Sequence, residues 1–199
     1  MDNPRDQQRR LVLASGSRYR RELLERLGLR FEVAAPSVDE APQAAESPAD
    51  TALRLAVLKA KALQRSHGDA LIIGSDQVAS SGGQRFDKPG THENAVRQLR
   101  ALSGKTARFD TAVALLDAAS GHLETRLVPC RVSFRHLEER VIQRYLEKEK
   151  PYDCAGAAKA EGLGIALIAR MDTEDPTSLI GLPLIALSEM LSRAGLPPV

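Results

Sequence analysis

Apolar and polar positions along the chain alternate between short continuous runs and helical stripes. Residues 11–14 are all apolar and predict a strand, which Ser15, Gly16 and Ser17 interrupt. From residue 18 to 27 the pattern turns helical, with Leu23, Leu24 and Leu27 on one face. Residues 31–34 predict a second strand, and a loop rich in Pro, Ala and acidic residues covers 36–46. A helix start follows, in which Ser47 caps, Pro48 suits the first turn and Asp50 closes a capping box. That helix is expected to reach about residue 66. Residues 71–73 predict a buried strand, with a hairpin turn at Gly82 and Gly83. A short helix at 93–102, long strands at 108–116 and 124–134 joined at Ser120 and Gly121, and a charged helix at 138–148 come next. A strand at 162–168 and a helix at 184–193 complete the order. The alternation is α/β with an antiparallel middle section, and residues 1–199 read as a single domain without repeats or low-complexity linkers.

Composition narrows the partners. The 199 residues are 43% hydrophobic and only 4% aromatic, so Leu, Val, Ile and Ala must build the core. A net charge of +2 argues against a nucleic-acid or membrane-surface binder and makes any positive field local. Cys130 and Cys154 form neither a ligand set nor a disulfide framework, which points to a reducing compartment. The start from Met1 to Arg5 has no apolar signal segment, and no run is long enough to cross a bilayer. A cytoplasmic location is the resulting expectation.

Three motifs fail on their own geometry. Ser103 to Thr106 resembles the end of a phosphate-binding P-loop, but the first glycine would fall at Leu99. Residues 21–28 resemble part of the Nudix box, yet its upstream glycine and glutamate would fall at Gln7 and Leu13, and Arg26 replaces a catalytic glutamate. His67, His92, His122 and His136 lack metal-ligand spacing.

Five motifs survive. Residues 15–21 sit between a strand and a helix, where backbone N–H groups, hydroxyls and guanidinium groups attract phosphate; Ser17 as a plain N-cap with solvated arginines is the alternative. Lys59 interrupts the apolar stripe of Leu55 and Leu63, so its ammonium either snorkels to water or reaches an anion in a cleft. Asp39 and Glu40 in a loop, and Asp76 beyond the strand at 71–73, form a carboxylate set able to hold Mg²⁺ or Mn²⁺ or to activate water, or else they cap and turn the chain. Lys88 is fixed between Asp87 and Pro89. In the small-residue stretch 154–162, Glu161 is either a carboxylate that accepts from a guanine edge or a solvated loop residue.

These pieces, in this order, resemble the Maf family along nearly the whole chain. The matching segments are residues 13–24, 38–40, Lys59 with Ala60, 74–78, Lys88 with Pro89, 102–104, Glu161 with Gly162, and 181–183. The resemblance implies an elongated mixed β-sheet with flanking helices and two lobes around a deep cleft, related to the inosine triphosphate pyrophosphatases. It also implies hydrolysis of a nucleoside triphosphate to the monophosphate and pyrophosphate, with a divalent cation and a possible homodimer. Carried over by position, Asp76 is the proton acceptor. Ser15, Arg20, Lys59 and Lys88 contact phosphate, and Glu40 joins Asp76 on the metal side. Tyr19, Gln77 and Glu161 occupy the three positions that separate branches of the family. The branch acting on dTTP and UTP typically carries arginine, threonine and glutamine there, whereas the combination in this chain resembles the branch acting on 7-methyl-GTP. A broader modified-nucleotide pyrophosphatase and a nucleotide-binding regulator of cell division are the alternatives. Asp87 and Asp110 depart from the family pattern and add carboxylates that bear on metal or phosphate affinity.

Overall fold

The computed structural model describes residues 9–199, so the reading of the start from Met1 to Arg5 lies outside the described residues. Strand β1 (Leu11–Ala14) leads into helix α1 (Arg18–Glu25) and the short β2 (Glu32–Val33). Helix α2 (Pro48–Ala62) precedes the hairpin of β3 (Leu71–Ser81) and β4 (Gln84–Phe86). Helix α3 (His92–Leu102) precedes the hairpin of β5 (Thr106–Asp117) and β6 (Leu123–Phe134). Helix α4 (Glu139–Glu149), β7 (Ile168–Asp172) and α5 (Leu184–Arg193) complete the set. The sheet runs β2-β1-β3-β5-β6-β7, with β4 also paired to β3. β1 is parallel to β2 and β3, and the remaining pairs are antiparallel.

The core divides into three apolar clusters because the central strands are covered on both faces. Leu11, Leu13, Leu71, Ile73, Val113 and Leu115 face α1 and α5. Their alternate neighbours Val12, Ile72, Ala112 and Ala114 face α2, which presents Ala52, Ala56 and Ala60. The far ends of β5 and β6 carry a separate cluster, where Phe109 and Phe134 pack with Leu99 and Leu102 of α3 and Ile142 and Leu146 of α4. This gives the expected two lobes on one mixed sheet. No helix of the described residues is long and apolar enough to cross a membrane.

Caps fell where the side chains placed them. Ser47 accepts from the Asp50 backbone N–H at 3.1 Å, with Pro48 opening α2. Three boundaries differ. Helix α1 stops at Glu25, because the chain turns into Gly28 at φ +67°. Helix α2 stops at Ala62 rather than near residue 66. The strand expected at 162–168 is a 3-10 turn over Leu163–Leu167, with the strand beginning only at Ile168. The Gly162 and Gly164 N–H groups both bond back to the Lys159 carbonyl, and Glu149 accepts from the Leu163 N–H, so these donors are taken by a turn and not by a ladder.

The largest difference is β3, which is eleven residues long where three were expected. Polar residues from Ser75 onward hide its length, and the strand is held by ten register partners on β5, from Leu71 opposite Asp117 to Ser80 opposite Arg108. Asp76 therefore lies within a strand and not beyond its end.

Helix α2 rides directly on this strand. A Cβ at Gly74 would stand 2.0 Å from the Ala56 carbonyl oxygen and 2.9 Å from the Ala60 nitrogen, both backbone atoms that cannot rotate away. Gly74→Ala must push α2 off the sheet. The expected loss is about 3 kcal/mol, the upper end for overpacking, read as a lower urea midpoint at unchanged slope. A midpoint equal to wild type would show that the helix is free to shift.

Candidate active site

The two lobes enclose a cleft of about 820 Å³. Nine residues singled out from the sequence, Ser15, Tyr19, Arg20, Glu40, Lys59, Asp76, Gln77, Lys88 and Glu161, line it. Asp39 does not line it; its carboxylate accepts from the Ala41 N–H at 2.9 Å, a turn-forming contact.

At the floor, Lys59 reaches from α2 to two carboxylates. Its Nζ stands 2.7 Å from Asp76 Oδ1 and 2.8 Å from Glu40 Oε1. The Lys59 side chain is 8% exposed and that of Asp76 11%, whereas Glu40 is 58% exposed at the cleft mouth. Snorkelling to bulk water is thus ruled out, and the ammonium is the hub of the carboxylate set. Its position follows from helix geometry. Lys59 shares the inward side of α2 with Ala52, Ala56 and Ala60, whose small side chains bring the helix close enough for the ammonium to meet β3.

The turn from β1 into α1 forms the adjoining wall. Ser17 caps α1, accepting from the Arg20 N–H at 3.4 Å. The Ser15 hydroxyl accepts from the Ser17 N–H at 3.1 Å and lies 3.4 Å from Arg20 Nη1. Arg20 Nε donates to the Gly181 carbonyl at 2.8 Å, and the Ser75 hydroxyl lies 2.9 Å from the same oxygen. Burial pushes the Arg20 guanidinium below its usual pKa, with Asp76 and Glu40 opposing that shift. Gly181 takes φ +121°, a conformation side chains rarely adopt, and so aims its carbonyl at Arg20.

Tyr19 and Glu161 line the same cleft. Burial pushes the Glu161 carboxyl above its usual pKa, while Lys159 acts in the opposite direction. The Tyr19 hydroxyl donates to Asp153 Oδ1 at 2.9 Å, and burial raises its pKa. Gln77 has a structural duty. Its Nε2 lies 2.9 Å from Thr111 Oγ1, 2.9 Å from the Ser178 carbonyl and 3.0 Å from that of Leu179, so it pins the turn that floors the cleft.

Lys88 is exposed on the cleft wall beside the equally exposed Asp87. Asp110 is buried, accepts from Arg108 Nε at 2.8 and 3.0 Å, and does not line the cleft. Of the two added carboxylates, only Asp87 stands beside the phosphate-binding candidates.

Sequence reasoning missed Arg85, Arg18 and Asp153. Arg85 reaches the cleft from β4 and donates to the Glu46 carbonyl at 2.6 Å. Arg18 lies inside a motif whose guanidinium groups read together as a phosphate site, with no role of its own, and Asp153 lies in a loop with no motif. Only the fold brings these two together.

The cations among the lining, Arg20, Lys59, Arg85 and Lys88, suit a polyanion, and the carboxylates of Asp153 and Glu161 suit an electron-poor group. The family described as Maf-like protein matches residues 10–194. The chain is 55% identical over 188 residues to a 7-methyl-GTP pyrophosphatase of Cupriavidus pinatubonensis, covering 94% of each chain. It is 57% identical over 185 residues to a 7-methyl-GTP pyrophosphatase of Thiobacillus denitrificans, covering 93% of this chain and 92% of that one. A distant likeness in fold extends to a HAM1 protein from Coxiella burnetii, with TM-score 0.45 and 13% identity over 80% of this chain and 98% of that one. Fold and cleft define an α/β protein with a cleft lined by side chains of both charges. The chain belongs to the Maf family.

The Lys59 hub can be tested without substrate. Lys59→Met leaves Asp76 without its ammonium in a largely dry position, and the expected loss is about 2–4 kcal/mol by urea unfolding. Adding Asp76→Asn removes the stranded charge and should recover part of that loss. Strict additivity of the two changes would mean that the pair is not coupled.

Proposed function

We propose that this chain hydrolyses 7-methyl-GTP to 7-methyl-GMP and pyrophosphate. The observation that carries the reading is the meeting of Lys59, Asp76 and Glu40 in a cleft that Tyr19 and Glu161 also line. Relatives 52–57% identical over most of the chain carry the name 7-methyl-GTP pyrophosphatase, which supports the same substrate here.

Ser15, Arg20, Lys59 and Lys88 bind the triphosphate, and their charges offset what develops on it during displacement. Water attacks the α-phosphorus. An oxygen–phosphorus bond forms there as the bond from the α-phosphorus to the bridging oxygen breaks, and pyrophosphate leaves. Asp76 takes the water proton. Its Oδ1 is held by Lys59, which orients the carboxylate and leaves Oδ2 for that proton.

Among the described residues no group of three or more His, Cys, Asp or Glu gathers as a metal cage. The Asp76 and Glu40 carboxylates both contact the Lys59 ammonium and so lie near one another, and their other oxygens fit Mg²⁺ or Mn²⁺, because such ions bind through one or two carboxylates together with substrate phosphates and waters. Asp76 and Glu40 would hold the ion, which when bound supplies charge neutralisation on the phosphates.

At the base end, N7-methylation makes the purine a cation. Tyr19 offers a π-face worth about 0.5–2 kcal/mol to such a ring. Glu161 accepts from the guanine N1–H and N2–H, and Gln77 contributes chiefly by holding the Ser178–Leu179 turn beneath the base.

Two measurements test the reading. Asp76→Asn should lose about 10² or more in turnover with the fold intact, and chromatography of the wild-type reaction should give a monophosphate and pyrophosphate. Near-normal turnover, or a diphosphate with orthophosphate, would refute the chemistry.

Glu161→Gln is nearly isosteric and neutral, so it should lower the kcat/KM preference for 7-methyl-GTP over GTP and UTP. The sign of its pH dependence follows from burial. A raised pKa means that Glu161 is discharged at higher pH than an ordinary glutamate, so the preference should fade as pH falls through that value. The Glu161→Gln profile should be flat over the same range. A preference unchanged by the substitution would remove Glu161 from the base subsite.

A further inference from the structure

Tyr19 already carries a cation. The Arg18 guanidinium carbon stands 4.7 Å from the centroid of the Tyr19 ring, and Nη2 donates to the Tyr19 hydroxyl at 2.6 Å. The same nitrogen lies 3.2 Å from Asp153 Oδ2, while the Tyr19 hydroxyl donates to the other oxygen of that carboxylate. Arg18 thus uses the two kinds of group, a π-face and a carboxylate, that a cationic purine would use at this end of the cleft.

The contact also joins the lobes. Helix α1 packs through Leu23 and Leu24 into the cluster it shares with α5. The loop carrying Asp153 packs through its neighbours Tyr152 and Ala155 onto the distal cluster of α3 and α4. The pairing therefore lies across the cleft at the base end, and a base entering there meets it.

We propose that Arg18 is a resident cation of the base subsite, seated on Tyr19 and Asp153 until a cationic purine replaces it. The inference rests on the function proposed above and adds two residues to its specificity. Three observations support it. The seat is lightly held, since the Arg18 side chain is 64% exposed and that of Asp153 47%, and exposed ion pairs hold weakly. The displaced guanidinium has a destination, because Arg18 is the first residue of α1 and shares the turn into that helix with Ser15 and Arg20, the phosphate contacts proposed above. Finally, the exchange discriminates. A methylated purine replaces one cation by another, whereas a neutral guanine leaves Asp153 without a counter-charge.

The test uses nucleosides, which lack the phosphates Arg18 could otherwise touch. Inhibition of 7-methyl-GTP hydrolysis by 7-methylguanosine and by guanosine is measured for the full chain, for Arg18→Gln and for Asp153→Asn. In Arg18→Gln both nucleosides should inhibit about threefold to tenfold more strongly, since neither has to displace the guanidinium, the scale of one cation–π contact. In Asp153→Asn the preference should narrow through weaker 7-methylguanosine binding. Both positions are exposed, and unchanged thermal midpoints would confirm intact folds.

If Arg18→Gln raises only the KM for the triphosphate, with both nucleoside affinities unaltered, Arg18 is a phosphate contact and the proposal is wrong. Equal weakening of both nucleosides would also overturn it, since that marks a purely orienting role. A wild-type enzyme that prefers other triphosphates to 7-methyl-GTP would instead sink the substrate reading, and this inference with it.

Discussion

The buried Lys59 ammonium is the constraint around which the cleft is built. An unpaired charge in so dry a position is costly by several kcal/mol, so the fold must bring it counter-charges. Asp76 supplies one from β3 and Glu40 another from the loop before α2. Neither would reach if α2 stood at an ordinary helix-to-sheet distance. The alanines at 52, 56 and 60 and the bare Cα of Gly74 remove that spacing. Local composition on one helix face thus fixes the meeting of three side chains remote in sequence. The asymmetry in exposure also matters. Asp76 is shielded and geometrically fixed, whereas Glu40 lies at the mouth and can adjust to what enters.

The cleft is densely charged although the chain is nearly neutral. Arg18, Arg20, Lys59, Arg85 and Lys88 line it together with Glu40, Asp76, Asp87, Asp153 and Glu161. A substrate with a polyanionic tail and a cationic head meets partners of both signs; a neutral base forgoes the acidic ones. Electrostatic complementarity of this kind selects among ligands more than it raises raw affinity. Arg20 shows the accompanying cost. Burial disfavours its charge, and the nearby carboxylates of Asp76 and Glu40 oppose that effect, so an arriving phosphate meets a guanidinium that is already partly desolvated.

Much of this was readable in the sequence, for reasons that differ by element. Helix α5 fell on its expected boundaries, and α2, α3 and α4 began within a residue of theirs, because caps and apolar stripes are local signals. Strand β3 was underestimated because its second half is polar and is held by partner strands, which no window of sequence contains. The apolar residues around 163–167 looked like a strand, yet Leu163 and Ile165 are exposed and the backbone turns on Lys159. At the site, the ordered motifs named nine residues that share one cleft. Lys59 was ambiguous because snorkelling and burial place the same residue type on the same helix face. The pairing of Arg18 with Asp153 was illegible for a different reason. An exposed contact between residues 135 apart leaves no periodicity and no spacing.

Specificity positions need not all be contact positions, and Gln77 illustrates why. Neighbours on a strand point to opposite faces, so Asp76 turns toward α2 while Gln77 turns toward the Ser178–Leu179 turn. There its amide nitrogen meets three acceptors, and Thr111 reinforces the same carbonyl of Ser178 at 2.8 Å. A threonine at position 77 could not span that distance with its short hydroxyl. The turn would then need another anchor, and with it would shift Gly181, whose carbonyl is shared by Arg20 and Ser75. A change at Gln77 therefore reaches the Ser178–Leu179 turn directly and Arg20 through Gly181. One residue couples two walls of the cleft, and the strand that fixes Asp76 fixes that coupling as well.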